Sequence, residues 1–433
     1  MRLELADFPV SEVQFSGHTR YNKGVLEVDK EQMLALVLED KKIVSAALDV
    51  AFPGEKTRIV QIRDVVEPRV KVSGPGCVFP GILGPVKTVG EGRTNRLSGV
   101  TQMVSGEYPQ TILNGTARGK AGLVDMWGSG SLRTPYGSKI NIVLILKLID
   151  GVTELQAHTA FQLAEFKVAR RLAEATREQT PESMEVFDTS QLDPGLPRIV
   201  YLQGCNISWH HPCDLAYYGL TIRESLPTLV HPTEFIDGAV TTDGRRGSGT
   251  HTQTWEWMNA PVIFELLREH GKRLNFIGVI LQRTRWEMEL GKQVAAESAS
   301  QIARLLGADG AVITRQFPSG NNFIDAMLTV QACELKGIKT VFLTPEWGGK
   351  DGTEIPLVFY VPEATAMIST GSTDRGVNLQ APTRVIGVED GQPVSLSPDD
   401  PPISPLNELT LQEHEITGGI DWWGFQGLSC KQY

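Results

Sequence analysis

The chain has 433 residues, of which 41% are hydrophobic and 21% charged, and its formal net charge is −10. This length is enough for two or three domains with ordinary cores, and the balance excludes a disordered chain. Net acidity with no basic run argues against nucleic acid or an anionic membrane as a partner.

Up to residue 150 the pattern is one of short β-rich runs between glycines and prolines, as at 23–28, 43–50, 57–63 and 70–72, which predicts a mostly β domain. Residues 74–135 are glycine-rich and polar, too long for a connector. They are either a loop-rich functional layer or strands that the pattern does not separate. The most apolar run, 140–149, is broken by Asn141 and Lys147 and is too short to span a bilayer. Over 153–178, Leu155, Ala160, Leu163, Phe166, Ala169 and Leu172 recur at helical spacing and predict a long amphipathic helix. Three prolines, Pro181, Pro194 and Pro197, mark 179–196 as a linker.

From 197 strand and helix alternate. Strands are expected at 197–202, 275–281, 311–314, 340–344 and 366–369, with helices at 259–270, 290–306 and 324–336. Each helix ends at a glycine (Gly271, Gly307, Gly337), where a left-handed cap belongs. The fold class is therefore α/β: a β-rich domain over 1–150, a helix and linker over 151–196, and a doubly wound parallel α/β domain over 197–390. An extended C-terminal strap over 391–433 follows, whose Asp421-Trp-Trp-Gly-Phe425 is apolar enough to dock. In such sheets ligands bind beyond the carboxyl ends of the strands, which directs attention to loops 315–322, 345–349 and 370–374.

Met1-Arg-Leu-Glu-Leu-Ala-Asp7 carries charges where a signal peptide needs an apolar core, so a cytoplasmic location is expected. The five cysteines form no CxxC pair, which fits reduced thiols. Gly371-Ser-Thr-Asp374 and Gly90-Glu-Gly-Arg-Thr94 are anion-compatible turns but not a P-loop, and no nucleotide is assigned. His210, His211, Cys213, Asp214, His231, Glu234 and His251 gather between 210 and 251. One reading is a Zn²⁺ or other divalent site held by His210, His211, Cys213 and His251. The other, favoured in the absence of an HExxH-type spacing, is a layer of packed and hydrogen-bonded histidines.

A set of segments in order along the chain resembles the glycine/sarcosine/betaine reductase component B precursor family. They include Met1-Arg-Leu-Glu-Leu5, Val65-Val-Glu-Pro-Arg-Val70, Phe79-Pro-Gly81, Lys87-Thr-Val-Gly90, Pro232-Thr-Glu-Phe-Ile-Asp-Gly238, Asn259-Ala-Pro261, Leu274-Asn-Phe-Ile-Gly278, Ser369-Thr-Gly371 and Val385-Ile-Gly387. In that family a cysteine within the segment after Gly238 becomes a pyruvoyl group by self-cleavage. Counted from its flanks, that position is Arg245 here, and no cysteine lies between Cys213 and Cys333. A guanidinium cannot attack a carbonyl, so a pyruvoyl group is not expected and the chain should remain uncut. Ser248, between Gly247 and Gly249, is the one alternative nucleophile; a glycine-rich loop without covalent chemistry is the favoured reading.

The resemblance implies a subunit of a reductase-like complex that acts on a small amine or other N-containing substrate, by reductive C–N cleavage or related chemistry. It also implies a second subunit with a selenocysteine or cysteine nucleophile, and an oligomeric assembly. Glu346 and Asp325 match acidic positions of the family and are the candidate catalytic residues. Arg245, Arg246, His231 and Glu234 are candidates for holding substrate, with Thr242 to His251 expected close to both Glu346 and His231. A non-catalytic scaffold subunit, and a metal-dependent hydrolase or lyase in the same cleft, remain the alternatives.

Overall fold

The computed structural model describes residues 1–107, 122–207, 215–223, 225–243, 250–286, 288–317, 320–347, 358–387, 392–394 and 402–428. The N-terminal half is built of strands, as the alternating pattern requires. Arg2–Pro9 buries Leu3, Leu5, Ala6 and Phe8 and runs parallel to Gly92–Ser98. On its other side it pairs antiparallel with Ser183–Asp188, so part of the expected linker is a sheet strand. Prolines at 181 and 194 only bracket that strand, and its pairing partner is too distant in sequence for local pattern to reveal.

A second sheet places Gly122–Asp125, Thr57–Val66, Val100–Ser105, Ile140–Leu148 and Ile43–Ala51 side by side, and Arg384–Ile386 also pairs with Thr57–Val66. The apolar run near 140 is thus an inner strand of this sheet. Strands at 92–98, 100–105 and 122–125 likewise resolve much of the glycine-rich stretch. The helix Glu154–Ala173 starts at a Thr153/Gln156 capping box and buries Ala160, Phe161, Ala164, Val168 and Leu172 against the strands. Leu155 lies off this stripe and is exposed.

The C-terminal sheet has the order Thr228–Val230, Asn275–Thr284, Arg198–Asn206, Gly310–Arg315, Lys339–Glu346, Met367–Ser372, parallel throughout except for its first, edge strand. Side chains alternate across it. Val200, Leu202 and Ile280 face the helices Glu289–Leu305 and Gly320–Glu334. Tyr201, Val279 and Leu281 face the helix Pro261–Glu269 together with Trp422 and Trp423 of the strap. Both faces are therefore covered, as a parallel sheet demands. Each buried tryptophan contributes on the order of 1.5–3 kcal/mol through lost apolar exposure, and the Trp423 indole N–H donates to Tyr201 Oη at 2.6 Å. The caps Gly271, Gly307 and Gly337 have φ of 71°, 72° and 82°. No helix among the described residues is long and apolar enough to cross a membrane.

Candidate functional site

Chain order reverses between Arg198–Asn206 and Gly310–Arg315: the next parallel strand, Asn275–Thr284, lies to one side of the first, and all later ones lie to the other. In open α/β sheets ligands bind in the crevice outside the carboxyl ends of the two strands that flank such a reversal. Two non-glycine residues adopt left-handed backbone there, Arg285 (φ 70°) after Thr284 and Phe317 (φ 66°) after Arg315. Such conformations are disfavoured for residues with a Cβ and cluster at functional sites.

Buried polar groups crowd the crevice. The Asn322 amide donates to Asn206 Oδ1 at 3.0 Å, Thr284 Oγ1 at 3.0 Å and the Gln316 carbonyl at 3.1 Å. Arg315 is fully buried and donates to the Phe317 carbonyl at 2.6 Å and to Thr344 Oγ1 at 3.3 Å. Burial brings its guanidinium down to about 9. Glu346 ends the neighbouring strand, is almost completely buried, and is paired in register with Ser372. Arg315, Glu346 and Ser372 thus lie along one edge, as expected from the sequence.

Asp325 is committed behind that edge. Its Oδ2 accepts from Lys292 Nζ at 2.6 Å and from the Arg285 backbone N–H at 2.8 Å. Burial holds its carboxyl near 6, opposed by the Lys292 contact. It sits inside its helix, not at the N-cap, and positions the left-handed turn at Arg285. This catalytic candidate is thus found in a buried ion pair with Lys292.

The segment matching the family's processing region enters through a second polar knot. Asp237 is buried, receives Lys71, and accepts from Gly90 N at 2.7 Å and Thr94 Oγ1 at 2.5 Å. Gly238 follows with φ 87°, where a Cβ would stand 3.1 Å from Phe79 N. Arg69 donates to the Ile236 and Met258 carbonyls and to Asn259 Oδ1. These contacts bring together five of the segments on which the family resemblance rests.

Two threonines then close the base of the segment. Thr242 N donates to Thr254 Oγ1 at 3.1 Å, while the backbone N–H and hydroxyl of Thr254 donate to Asp64 at 2.9 and 2.7 Å. The Gln162 amide reaches the Thr242 carbonyl at 3.4 Å. On the return leg Gln316 donates to Thr252 Oγ1, and the His251 ring stands 6.1 Å from that of Phe317. Both ends of the segment are therefore anchored beside the switch point. Arg245, Arg246 and Ser248 lie outside the described residues.

His231 and Glu234 are placed elsewhere. His231 caps a short helix through Nδ1, shares a hydrogen bond with Thr189 at 3.0 Å, and lies near His270, which precedes the Asn275–Thr284 strand. Burial brings it down to about 4, a neutral structural histidine. Glu234 accepts from His231 N, Tyr217 and Tyr218. The expected proximity of His231 to Glu346 is corrected: they lie at opposite, amino and carboxyl, ends of the sheet, because the intervening strand is antiparallel.

Of the candidate metal ligands, His251 hydrogen-bonds Thr250 through Nδ1 at 2.9 Å, and His210, His211 and Cys213 lie outside the described residues. Among the described residues no three His, Cys, Asp or Glu side chains are grouped to hold a metal.

Sequence reading overlooked Asp64, Asn206, Asp243 and Glu256. Asp243 enters the segment, and burial pushes its carboxyl up to about 6, opposed by Thr221 and Arg223. Glu256 is raised to about 8 by burial, opposed by the Gln253 N–H. Charges inside apolar runs, as in Val60-Gln-Ile-Arg-Asp-Val65, were the available signal.

Residues 1–431 match the family described as glycine/sarcosine/betaine reductase component B subunits. The chain is 31% identical over 443 residues to the glycine reductase complex component B subunits alpha and beta of Acetoanaerobium sticklandii, with 100% of each chain covered. It is 33% identical over 396 residues to the sarcosine reductase complex component B subunit alpha of Peptoclostridium acidaminophilum, covering 90% of each. Against that organism's betaine reductase complex component B subunit alpha the identity is 31% over 401 residues, covering 89% of this chain and 88% of the relative. No solved structure matches.

Proposed function

Because the chain belongs to the glycine/sarcosine/betaine reductase component B family, we propose that it is an uncut subunit of a reductase complex that binds a small amine or other N-containing substrate at the carboxyl edge of its parallel sheet. The observation that carries this reading is the anchoring of both ends of the 243–253 segment beside the strand-end crevice, through Thr242, Thr252 and Thr254. Glu346 binds the cationic nitrogen, and Arg245 or Arg246 pairs with a substrate carboxylate in bidentate fashion. Arginine at 245 does not fit a pyruvoyl precursor, because a guanidinium cannot attack the preceding carbonyl. The nucleophile and the two electrons needed for C–N cleavage come from the partner subunit.

Intact mass of the purified chain tests the uncut state: one full-length species is expected, and two fragments meeting at Ser248 would restore self-processing. Calorimetric titration with glycine, sarcosine and betaine, alone and with a partner subunit, tests the site. Arg245→Ala and Glu346→Gln should each weaken binding by about tenfold or more, the scale of a lost charge-assisted contact. Unchanged binding in both variants refutes the placement. Arginine at the precursor position also supports a second reading, a scaffold that positions a catalytic partner: partner binding without substrate binding would establish it.

A further inference from the structure

Away from the strand-end crevice, a cavity of about 310 Å³ opens where the N-terminal sheets meet the helix Pro261–Glu269 and the strap. Arg96, Lys139 and Arg268 contribute cations to its lining, and Trp255, Phe264 and Phe425 contribute aromatic rings. Two of these cations are already neutralised: Arg96 pairs with Asp7 at 2.9 Å, and Arg268 with Glu185 at 2.9 Å and Glu265 at 2.6 Å. The one carboxylate in the lining, Glu67, pairs with Arg69 at 2.6 Å.

Lys139 differs from the two arginines. Among the described residues no carboxylate lies within the 4.0 Å of an ion pair, and its ammonium stands 5.0 Å from the centre of the Trp255 ring. Burial lowers its proton affinity, Glu67 opposes that, and Arg96 adds to it. Trp255, only 6% exposed, lines the same cavity. An unneutralised ammonium in an aromatic-walled cavity calls for an acceptor with negative charge. A cationic or neutral apolar ligand would leave it unmatched.

We propose that this cavity is a binding site for a small organic carboxylate with a flat apolar body, its charge on Lys139 and its body against Trp255, Phe264 and Phe425. Occupancy would also brace the helix Thr254–Met258, whose first residue closes the base of the 243–253 segment. The site thereby couples an organic acid to the anchoring of that segment without sharing the strand-end residues.

Titration calorimetry of the full chain with benzoate tests this, with benzylamine as a probe of the same shape and opposite charge. Benzoate should bind and benzylamine should not. Lys139→Gln should weaken benzoate by about tenfold or more, and Lys139→Arg by less, as expected for loss or retention of a charge-assisted contact. Thermal unfolding of each variant identifies any that fails to fold, and in that event Lys139→Met, which keeps an unbranched side chain but removes the charge, supplies the comparison. Equal affinity for the two probes, benzoate binding unaffected in the folded variants, or no benzoate binding by the wild-type chain overturns the proposal. Because the readout is binding and not turnover, this result stands or falls apart from the reductase reading.

Discussion

Replacing Asp64 should loosen the 243–253 segment before it disturbs anything else. Its carboxylate is fully buried and accepts from Val65 N at 2.8 Å, Thr254 N at 2.9 Å and Thr254 Oγ1 at 2.7 Å. Thr254 Oγ1 in turn accepts from Thr242 N, so one carboxylate organises both ends of the segment. Hydrogen bonds to a charged group contribute about 1.5–3 kcal/mol each, and buried donors left unpaired add their desolvation penalty. Because the bonds share one network they do not sum, and Asp64→Ala should cost about 3–5 kcal/mol. Asp64→Asn retains one acceptor oxygen and should cost about 1–3 kcal/mol. Urea unfolding measures the loss. Trypsin provides the local readout, since Arg245 and Arg246 lie in the segment: cleavage there should accelerate in both variants more than cleavage elsewhere. A loss below about 1 kcal/mol in Asp64→Ala, with unchanged tryptic cleavage at these arginines, would refute the reasoning.

Three further outcomes are expected. Glu256, raised to about 8, retains its proton on folding, so the unfolded chain binds fewer protons than the folded one between roughly pH 4.5 and 8. Its contribution is present at low pH and declines by up to about 1.4 kcal/mol per pH unit across that window; Glu256→Gln should remove this slope, and identical pH profiles of urea stability would contradict the assignment. Asp325→Ala strands the buried Lys292 ammonium and should cost about 3–5 kcal/mol, measured by the same unfolding assay, whereas a near-neutral change would show that the pair is not coupled. Gly238→Ala forces a Cβ into a backbone at φ 87° against Phe79 N and should cost at least about 1–2 kcal/mol, seen as a lowered thermal midpoint, while an unchanged midpoint would show that the turn relaxes freely.

Local chemistry made much of this molecule legible in its sequence. Apolar spacing revealed the long helix and the strand–helix alternation, and glycines at 271, 307 and 337 marked helix ends because only a residue without a Cβ turns left-handed there without strain. That alternation also placed Arg315, Glu346 and Ser372 on one edge, since parallel strands share a carboxyl end. The strand Ser183–Asp188 and the addition of Arg384–Ile386 to the N-terminal sheet were not legible, because their partners are Arg2–Pro9 and Thr57–Val66, far away along the chain. The same distinction holds for individual charges. Asp325, Glu234 and His231 are polar residues near suggestive motifs, and sequence alone does not distinguish a group facing a substrate from one already satisfied. Only the folded chain brings Lys292 to Asp325, Tyr218 to Glu234 and Thr189 to His231, partners that local pattern does not reveal. Asp64 shows the converse: one acid in a buried strand becomes the anchor of a segment 190 positions away, because folding brings the donors of Thr254 to it in a medium where an unpaired carboxylate could not remain charged.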